Sequence, residues 1–374
     1  MIGTRVLRIS NSAVVPEYRQ REHQLSVRHG YDMHLVSPPA FTEGGSVVEA
    51  TADDPAVPLH IVDTRGRRYH PILFWYVTAQ LRRVMRQVQP QILDLHQEPY
   101  SLASAAALRA VKLEAPQAKI CIYTAQNILK RYPTPFRQLE QRALKLAAAA
   151  YPCSTEAGEV LRAKGFVGVI HVIPLGVSIR PEPPRHFALD QLRVGFLGRL
   201  EPYKGGELAI RAFASATNDM DARLEIVGSG SQMAHLESCA ARLGVSSRVT
   251  FTGAVSQDEA LARIRGYDVV LVPSLTTATW KEQFGRIPAQ ALEAGTPVIA
   301  SDSGSLREVV DDCGELVREG DVTELADTLG RLLRNPARRA ALSASGRRRA
   351  TEVFSWEVVA DSCDQMYRHL LCHA

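Results

Sequence analysis

The sequence predicts an α/β protein built from two doubly wound, Rossmann-like domains that face a central cleft. Short apolar strand patterns alternate with helical patterns along most of the 374 residues, which is typical of parallel sheets covered by helices on both faces. The alternation is interrupted by a proline-rich stretch around 181–184 and then restarts. The length also fits about two domains of ordinary size.

The first half predicts a first doubly wound sheet. Each expected strand is a short apolar run, and each expected helix repeats its apolar residues every three to four positions. The expected strands are 5–9, 33–36, 59–62, 92–95, 120–123, 150–152 and 169–173. The expected helices are 18–29, 72–88, 101–113, 137–149 and 156–164.

The second half repeats the same alternation. The expected strands are 193–197, 222–227, 249–252, 269–272, 298–301 and 314–317. The expected helices are 207–215, 231–243, 257–264, 287–294, 305–310 and 323–335, with a helical tail to about 371. We therefore expect domains at 1–178 and 193–352, with a linker at 179–192 because prolines make extended spacers.

Composition narrows the class of protein. Lys and Arg number 44 against 40 Asp and Glu, so the net charge is +4, which is too small to indicate a nucleic-acid partner. Hydrophobic residues are 45% and charged residues 22%, which excludes a disordered or coiled-coil chain. The six cysteines form no C-x-x-C pair, so neither a metal site nor a disulfide framework is expected. With no signal-peptide pattern and no apolar run near ~20 residues, a cytoplasmic protein is expected.

A first candidate for anion binding is the start of the predicted helix 287–294. Pro288 fits the first helical turn, so the helix begins just after Gly285 and offers free N–H groups to a phosphate. Glu282 precedes the helix and has the acceptors that sugar hydroxyls need. Gln290 comes one turn after Arg286 and is expected on the same face. The alternative is an ordinary amphipathic helix that the glutamate merely caps.

A second candidate is the loop 198–206, which follows a predicted strand and opens a helix. Arg199 and Lys204 flank this loop, so two cations and several backbone N–H groups converge, as a diphosphate requires. The loop is neither a Walker loop nor a G-x-G-x-x-G motif. A weaker glycine turn at 228–230 is better explained by a tight turn than by ligand contact.

Several motifs together resemble glycosyltransferase family 4, which comprises retaining, nucleotide-sugar-dependent enzymes of GT-B fold. They are G-R-L-E-P-Y-K-G-G at 198–206, V-G-S-G at 227–230, F-T-G at 251–253, E-Q-F-G at 282–285, A-G-T-P-V-I-A-S-D-S-G at 294–304, I-P-L-G-V at 173–177 and H-Q-E-P at 96–99. The resemblance extends over nearly the whole chain and is strongest in the second half.

The resemblance implies a role for each matching residue. Arg199, Lys204 and Glu282 are the implied catalytic residues: the two cations hold the donor diphosphate, and the glutamate contacts the donor sugar. The remaining implied donor-binding residues are Gly198, Gly228, Gly253, Ala254, Phe284, Gly285, Arg286 and Gln290. The second domain thereby becomes the donor-binding domain.

The first domain, 1–178, is implied to bind the acceptor, and the helix within 353–374 is implied to cross back to it. The implied residues on the acceptor or sugar side are Asn11, Ser12, Tyr18, His96, Gln126 and Asn127. The family implies no metal and no resident cofactor, because Arg199 and Lys204 supply positive charge to the leaving group.

The sequence departs from the family pattern at three places. Seven residues separate Glu282 from Gln290, where the family has a second glutamate that meets the ribose. Gln126 lies where the family often has a histidine near the donor sugar. The loop 11–19 lacks the usual Gly-Gly pair. A bacterial subset of the family is similar to this chain at 14–19 and 123–133.

The expected function is transfer of a hexosyl group, with retention, from a UDP- or GDP-sugar to a hydroxyl or thiol acceptor. The acceptor is expected to be either a precursor of a cell-surface glycan or a small specialised metabolite. The alternatives are a sugar-nucleotide-binding protein without transfer activity and an epimerase of the same fold. The basic segment 130–145 leaves weak membrane contact open, and the sequence leaves the oligomeric state undetermined.

Overall fold

The computed structural model of the chain describes residues 3–43, 46–52, 54–67, 69–181 and 185–372. The chain forms two compact units. The first extends to Gly176 and also includes the chain from Trp356 onwards, whereas the second is Val177–Ser355. The chain therefore leaves the first unit for the second and returns to the first for its last helix.

Among its described residues, the first unit contains eleven strands and five α-helices before the chain leaves it. In chain order they are β1 (Arg5–Ser10), α1 (Gln20–His29), β2 (Asp32–Ser37), β3 (Ala40–Glu43), β4 (Ser46–Glu49), β5 (Leu59–Ile61), β6 (Thr64–Gly66), β7 (Phe74–Tyr76), α2 (Thr78–Val88), β8 (Ile92–His96), α3 (Leu102–Glu114), β9 (Lys119–Thr124), α4 (Phe136–Leu146), β10 (Ala149–Pro152), α5 (Thr155–Ala163) and β11 (Val169–Ile170).

Seven of these strands form one parallel sheet in the order β11-β10-β9-β8-β1-β2-β5. The strand order reverses between β1 and β8, and Ser10 pairs with His96 where these two strands end. In open parallel sheets ligands bind beyond the carboxyl ends of the strands at such a reversal. This edge of the first sheet therefore carries the residues predicted on the acceptor side.

The predicted helix 72–88 is wrong in its first part. Phe74–Tyr76 is a strand that pairs antiparallel with β6, and the helix begins at Thr78. Phe74 and Tyr76 are buried while Trp75 between them is exposed, which is the alternation of a strand and not of a helix. A second hairpin, β3 with β4, was also absent from the prediction.

In the part that the structure describes, the second unit contains six strands and seven α-helices, and α13 follows it in the chain. They are β12 (Leu192–Leu197), α6 (Gly206–Ala216), β13 (Ala222–Val227), α7 (Met233–Arg242), β14 (Val249–Gly253), α8 (Gln257–Gly266), β15 (Val269–Val272), α9 (Arg286–Glu293), β16 (Val298–Ser301), α10 (Leu306–Val310), β17 (Glu315–Val317), α11 (Val322–Leu333), α12 (Pro336–Arg349) and α13 (Trp356–Cys372). The six strands form a parallel sheet in the order β14-β13-β12-β15-β16-β17, which reverses between β12 and β15. Two doubly wound α/β units are thus confirmed.

The described part of the segment 179–192 packs on the second unit. The backbone N–H of Arg180 donates to Glu293 at 3.0 Å, and Arg185 donates to the carbonyl of Tyr267 and the hydroxyl of Thr296. Residues 182–184 of the predicted linker lie outside the described residues. The second unit therefore includes residues ahead of the predicted boundary at 193. The backbone N–H of Arg180 and the side chain of Arg185 bond these residues to it.

The last helix, α13, completes the core of the first unit. It packs on α1, and Trp356, Cys363, Met366 and Tyr367 are buried in the first unit's apolar core. Residues 353–355, which we expected in the same segment, stay with the second unit. The chain thus builds the first core from its two ends.

Candidate functional site

The reversal between β12 and β15 brings two loops together. Gly198–Lys204 follows β12, and the loop of residues 273–282 follows β15. The N–H of Leu275 donates to the carbonyl of Tyr203 at 2.7 Å, which joins the loops. Gly205 lies with φ +74° beside Pro273, and a Cβ there would be 2.0 Å from the Pro273 carbonyl oxygen. Only glycine permits this close approach.

Lys204 and Glu282 form an ion pair at the junction of the two loops. The ammonium nitrogen of Lys204 lies 2.7 Å from Oε2 of Glu282, and the Ser274 hydroxyl donates to the same oxygen at 2.9 Å. The two charged side chains are 20% and 8% exposed, respectively. The motifs that the sequence singled out separately therefore meet in one place.

The backbone around Glu282 is fixed by the turn that precedes α10. The carbonyl of Glu282 accepts a hydrogen bond from the N–H of Ser305 at 3.1 Å. Gly304 packs directly against this carbonyl, since a Cβ there would lie 2.1 Å from its oxygen. The position of Glu282 is thus set by packing as well as by its ion pair.

Two aromatic rings lie next to the two cations of this site, Arg199 and Lys204. Tyr203 and Trp280 lie with ring centroids 4.2 Å apart. The ammonium of Lys204 is 4.6 Å from the Trp280 ring centroid, and the Arg199 guanidinium is 5.6 Å from that of Tyr203. Cations within about 6 Å of a ring face are attracted to it. The two cations predicted to hold a diphosphate therefore flank a single aromatic pair.

The start of α9, at Arg286, lies four residues beyond Glu282. Gly285, with φ +76°, is the N-cap residue, and no side chain among the described residues caps the helix. Its first N–H groups carry partial positive charge. Arg286 and Gln290 are both partly exposed and one turn apart, while Ala289 between them is buried. Arg286 and Gln290 therefore share one partly exposed face of α9.

Phe284 has a different surrounding from the one implied. Its ring is 4% exposed and meets Phe354 edge-on at 5.7 Å. It anchors the turn at Gly285 from inside the second unit. The Phe284 ring therefore packs in the interior of the second unit, next to the turn at Gly285.

Three glycines, Gly198, Gly228 and Gly253, lie at the carboxyl ends of the adjacent strands β12, β13 and β14. The N–H of Gly198 donates to Val227 at 3.0 Å, and the N–H of Gly228 donates to Gly253 at 2.8 Å. A Cβ on Gly228 would lie 1.8 Å from the Gly198 carbonyl oxygen. The glycine turn at 228–230 is therefore explained by close backbone approach. Ala254 follows directly at the end of β14.

Glu293 is not an alternative to the glutamate missing at position 290. It is 4% exposed, and its two oxygens accept from Arg265 at 2.9 and 3.2 Å. The N–H of Arg180 donates to it as well. Glu293 fastens the start of the second unit, so Gln290 remains the residue on the exposed face of α9.

In the first unit, His96 is the last residue of β8 and lies at the reversal of the sheet. Its ring stacks on Tyr123 with centroids 3.9 Å apart, and its Nδ1 is 3.2 Å from the Tyr151 hydroxyl. The neighbouring strand β1 ends at Ser10, whose hydroxyl is 2.9 Å from that of Ser12. Ser12 and His96 thus follow adjacent strand ends, and Asn11 joins Ser10 to Ser12.

The other residues predicted on the acceptor side engage neighbours within the unit. Gln126 donates to the Tyr132 hydroxyl at 3.0 Å, and Asn127 donates to Glu156 at 2.9 Å. Tyr18 lies on the loop after β1, where its hydroxyl is 3.4 Å from Glu43. Gln126 and Asn127 follow β9, the strand next to β8.

Glu98 is a residue that sequence reasoning did not assign to a role. It accepts hydrogen bonds from the Thr124 hydroxyl at 2.7 Å and the Ala125 N–H at 2.9 Å, which joins the ends of β8 and β9. Burial raises the pKa of Glu98, against the opposing effect of these hydrogen bonds. Its place in H-Q-E-P, two residues after His96, was the available signal. Trp280 and Ser274 were also missed, because their partners come from distant motifs.

In the described part of the chain, no group of three or more histidine, cysteine, aspartate or glutamate side chains is arranged to hold a metal ion. Over the same residues, no helix is both long enough and apolar enough to span a bilayer.

Comparison with protein families gives matches over both halves of the chain. Residues 24–180 match the model described as Glycosyltransferase Family 4, and residues 182–349 match the model described as Glycosyl transferases group 1. The two models are adjacent and correspond to successive parts of the chain.

Curated relatives match part of the chain. The MMP alpha-(1->4)-mannosyltransferase of Mycolicibacterium hassiacum is 34% identical over 201 residues, which are 53% of this chain and 48% of that protein. The D-inositol 3-phosphate glycosyltransferase of Mycobacterium tuberculosis is 35% identical over 193 residues, which are 49% of this chain and 38% of that protein. The chain thus spans about half or less of the length of these relatives.

Solved structures match nearly the whole chain. Sucrose-phosphate synthase from Thermosynechococcus elongatus superposes with a TM-score of 0.75 at 20% identity, covering 99% of this chain and all of that one (100%). Anabaena HepE in complex with UDP gives a TM-score of 0.73 at 16% identity, covering 98% and 100%. At this level of identity the likeness shows the fold, which is that of the GT-B glycosyltransferases.

Proposed function

The chain belongs to glycosyltransferase family 4, and we propose from this that it transfers a hexosyl group from a nucleotide-sugar donor to an acceptor. The observation that carries the proposal is the meeting of Lys204, Glu282 and the start of α9 at the reversal of the second sheet. Cations, a sugar-binding carboxylate and free helix N–H groups are what a nucleotide-sugar needs.

The donor diphosphate is held by Arg199, Lys204 and the N–H groups at Gly285. Lys204 has three hydrogens and gives one to Glu282, so it has hydrogens for phosphate oxygens as well. Positive charge aimed at the leaving phosphate stabilises the charge that develops as the glycosidic bond breaks. Glu282 accepts hydrogen bonds from hydroxyls of the donor sugar, and Gln290 contacts the ribose.

Transfer proceeds with retention and without a metal ion. The acceptor oxygen bonds to the anomeric carbon on the face that the diphosphate leaves, and the departing phosphate oxygen takes the acceptor's proton. No strong protein base is needed for that proton. Arg199 and Lys204 supply the positive charge that a divalent cation supplies elsewhere.

The donor is a UDP- or GDP-sugar, and the acceptor offers a hydroxyl or a thiol. Support for uridine comes from HepE, which has been solved with UDP and with UDP-glucose. The D-inositol 3-phosphate glycosyltransferase of Mycobacterium tuberculosis is named for a polyol phosphate, which supports a hydroxyl acceptor. We assign acceptor binding to the first unit and the donor to the second, and we place the protein in the cytoplasm.

A two-part experiment tests the proposal. Thermal shift against UDP, GDP, dTDP and ADP identifies the base, because a ligand bound only by the folded protein raises Tm. Transfer of the matching labelled sugar to a panel of hydroxyl and thiol acceptors is then measured in EDTA, and NMR gives the anomeric configuration of the product. We expect one uridine or guanosine nucleotide to stabilise and an α-linked product to form from an α-linked donor. Stabilisation without transfer or donor hydrolysis would favour the binding-protein alternative.

A further inference from the structure

A carboxylate is buried in the middle of the first sheet. Asp94 on β8 is 0% exposed. Its Oδ2 accepts hydrogen bonds from Arg21 on α1 and, at 2.6 Å, from the hydroxyl of Tyr367 on α13. Its Oδ1 accepts one from the hydroxyl of Tyr151 on β10. Arg21 and the two tyrosine hydroxyls are the donors, so Asp94 accepts at both of its oxygens.

The hydroxyl of Tyr151 has one hydrogen, and Asp94 receives it. Burial raises the pKa of Tyr151 well above its ordinary value, and the charge of Asp94 adds to the effect, so the phenol keeps that hydrogen. The lone pairs of the oxygen remain, and Nδ1 of His96 lies 3.2 Å away. Since the hydroxyl hydrogen is used on Asp94, the oxygen accepts from His96. Nδ1 of His96 is therefore the donor.

A neutral histidine ring carries hydrogen on one nitrogen and a lone pair on the other. We propose that Asp94 and Tyr151 are positioning residues that hold His96 with hydrogen on Nδ1, so that Nε2 accepts a hydrogen bond from a hydroxyl of a bound substrate. Stacking on Tyr123 fixes the plane of the ring. The ring lies beyond the carboxyl end of β8 beside Ser10, at the reversal of the sheet, which is where a ligand binds.

The tautomer determines which chemical group His96 recognises. An Nε2 lone pair accepts from O–H or N–H groups and offers nothing to a phosphate or carboxylate oxygen. The substrate group at His96 is then a hydroxyl of the sugar or of the acceptor. This assignment rests on the proposed function, whereas the relay from Asp94 through Tyr151 to His96 stands on the hydrogen bonds alone.

Nitrogen NMR of the full-length protein labelled with ¹⁵N-histidine tests the tautomer directly. His96→Gln identifies the His96 signals by removing them. Tyr151→Phe deletes the hydroxyl between Asp94 and His96. Tyr367→Phe is the matched control, because it also deletes a buried phenol hydroxyl bonded to Asp94, but one that donates to the other carboxylate oxygen, Oδ2. We expect hydrogen on Nδ1 in the wild type and in Tyr367→Phe, and loss of that preference in Tyr151→Phe.

Kinetics with the donor and acceptor from the transfer assay supply the second measurement. Tyr151→Phe is expected to lower kcat/KM for the acceptor about tenfold relative to Tyr367→Phe, the size of effect of one lost hydrogen bond. Tm of both variants is measured alongside, and each is expected to fall by a similar amount.

The outcomes separate the two proposals. Hydrogen on Nε2 of His96 in the wild type, or an unchanged tautomer in Tyr151→Phe, overturns the relay whether or not sugar transfer is found. Equal kinetic losses in the two tyrosine variants also overturn it, since both hydroxyls would then serve stability alone. Absence of transfer by the wild type with every donor contradicts the proposed function instead, and the NMR result decides the relay by itself.

Discussion

Lys204 and Glu282 are 78 residues apart in the chain, yet the ammonium nitrogen of one lies 2.7 Å from a carboxylate oxygen of the other. Each follows one of the two strands, β12 and β15, between which the order of the second sheet reverses. The hydroxyl of Ser274 donates to Glu282, and the ring of Trp280 lies against the ammonium of Lys204. The cation and the carboxylate are thus oriented before a ligand arrives, which lowers the cost of binding one.

Lys204→Ala is expected to weaken UDP or GDP binding by about 2 kcal/mol, because it deletes a charged contact to phosphate. Isothermal titration of the nucleotide measures the change. Arg334→Ala is the matched control, since Arg334 is also a cation paired with a carboxylate, Asp219, but lies at the end of α11. Equal affinities in the two variants would remove Lys204 from the donor site.

Gln290→Glu is expected to strengthen binding of the nucleotide about fivefold, because a carboxylate accepts stronger hydrogen bonds from ribose hydroxyls than a neutral amide does. Inorganic pyrophosphate, which has no ribose, is the matched ligand and should bind no better to the variant. Titration with both ligands gives the comparison. A gain for pyrophosphate, or a loss for the nucleotide, would argue against a ribose contact at this position.

Glu293→Ala is expected to lower the free energy of unfolding by about 3 kcal/mol, because it leaves Arg265 without its buried partner. Urea unfolding measures the loss. Nucleotide affinity should stay at the wild-type value, since both oxygens of Glu293 are occupied by Arg265 and the N–H of Arg180. A variant that folds with normal stability but binds nucleotide poorly would instead place Glu293 at the ribose.

Two glycines with nearly the same backbone conformation provide a matched stability test. Gly198 has φ +143° and Gly228 has φ +140°, so alanine is strained at both. A Cβ at Gly228 meets the Gly198 carbonyl oxygen at 1.8 Å, whereas a Cβ at Gly198 has no described atom within 4 Å. We expect Gly228→Ala to destabilise by about 2 kcal/mol more than Gly198→Ala, the cost of overpacking. Equal Tm values for the two variants would show that backbone strain alone sets the loss of stability.

Much of the candidate donor site could be predicted because its residues follow strands. Lys204 and Glu282 each lie in a loop after an apolar run, and in a doubly wound sheet such loops share one edge. Local chemistry also placed Gly285 at the start of a helix and Gln290 one turn after Arg286. The sequence could not state which strands are neighbours, so the partners Ser274 and Trp280 were missed.

Other features depend on pairings that no local pattern records. Residues 72–77 are apolar at every position, a pattern that does not separate a helix from a strand, and only the pairing with β6 decides between them. Asp94, Tyr151 and Tyr367 come from two strands and the last helix, so their hydrogen bonds emerge only when the first unit is assembled. The ring of Phe284 packs against Phe354, a residue from a distant part of the chain that the motif around Phe284 does not record.

The return of α13 to the first unit has a consequence for biosynthesis. The ribosome synthesises the amino-terminal half first. Met366 and Tyr367, which are both fully buried in the first unit, are synthesised after the whole second unit. Domains usually mature in the order in which they are translated. In this chain the second unit can complete its core before the first unit does. Until α13 is synthesised, the apolar surface that it covers in the first unit stays exposed. Chaperones can bind this surface at that stage.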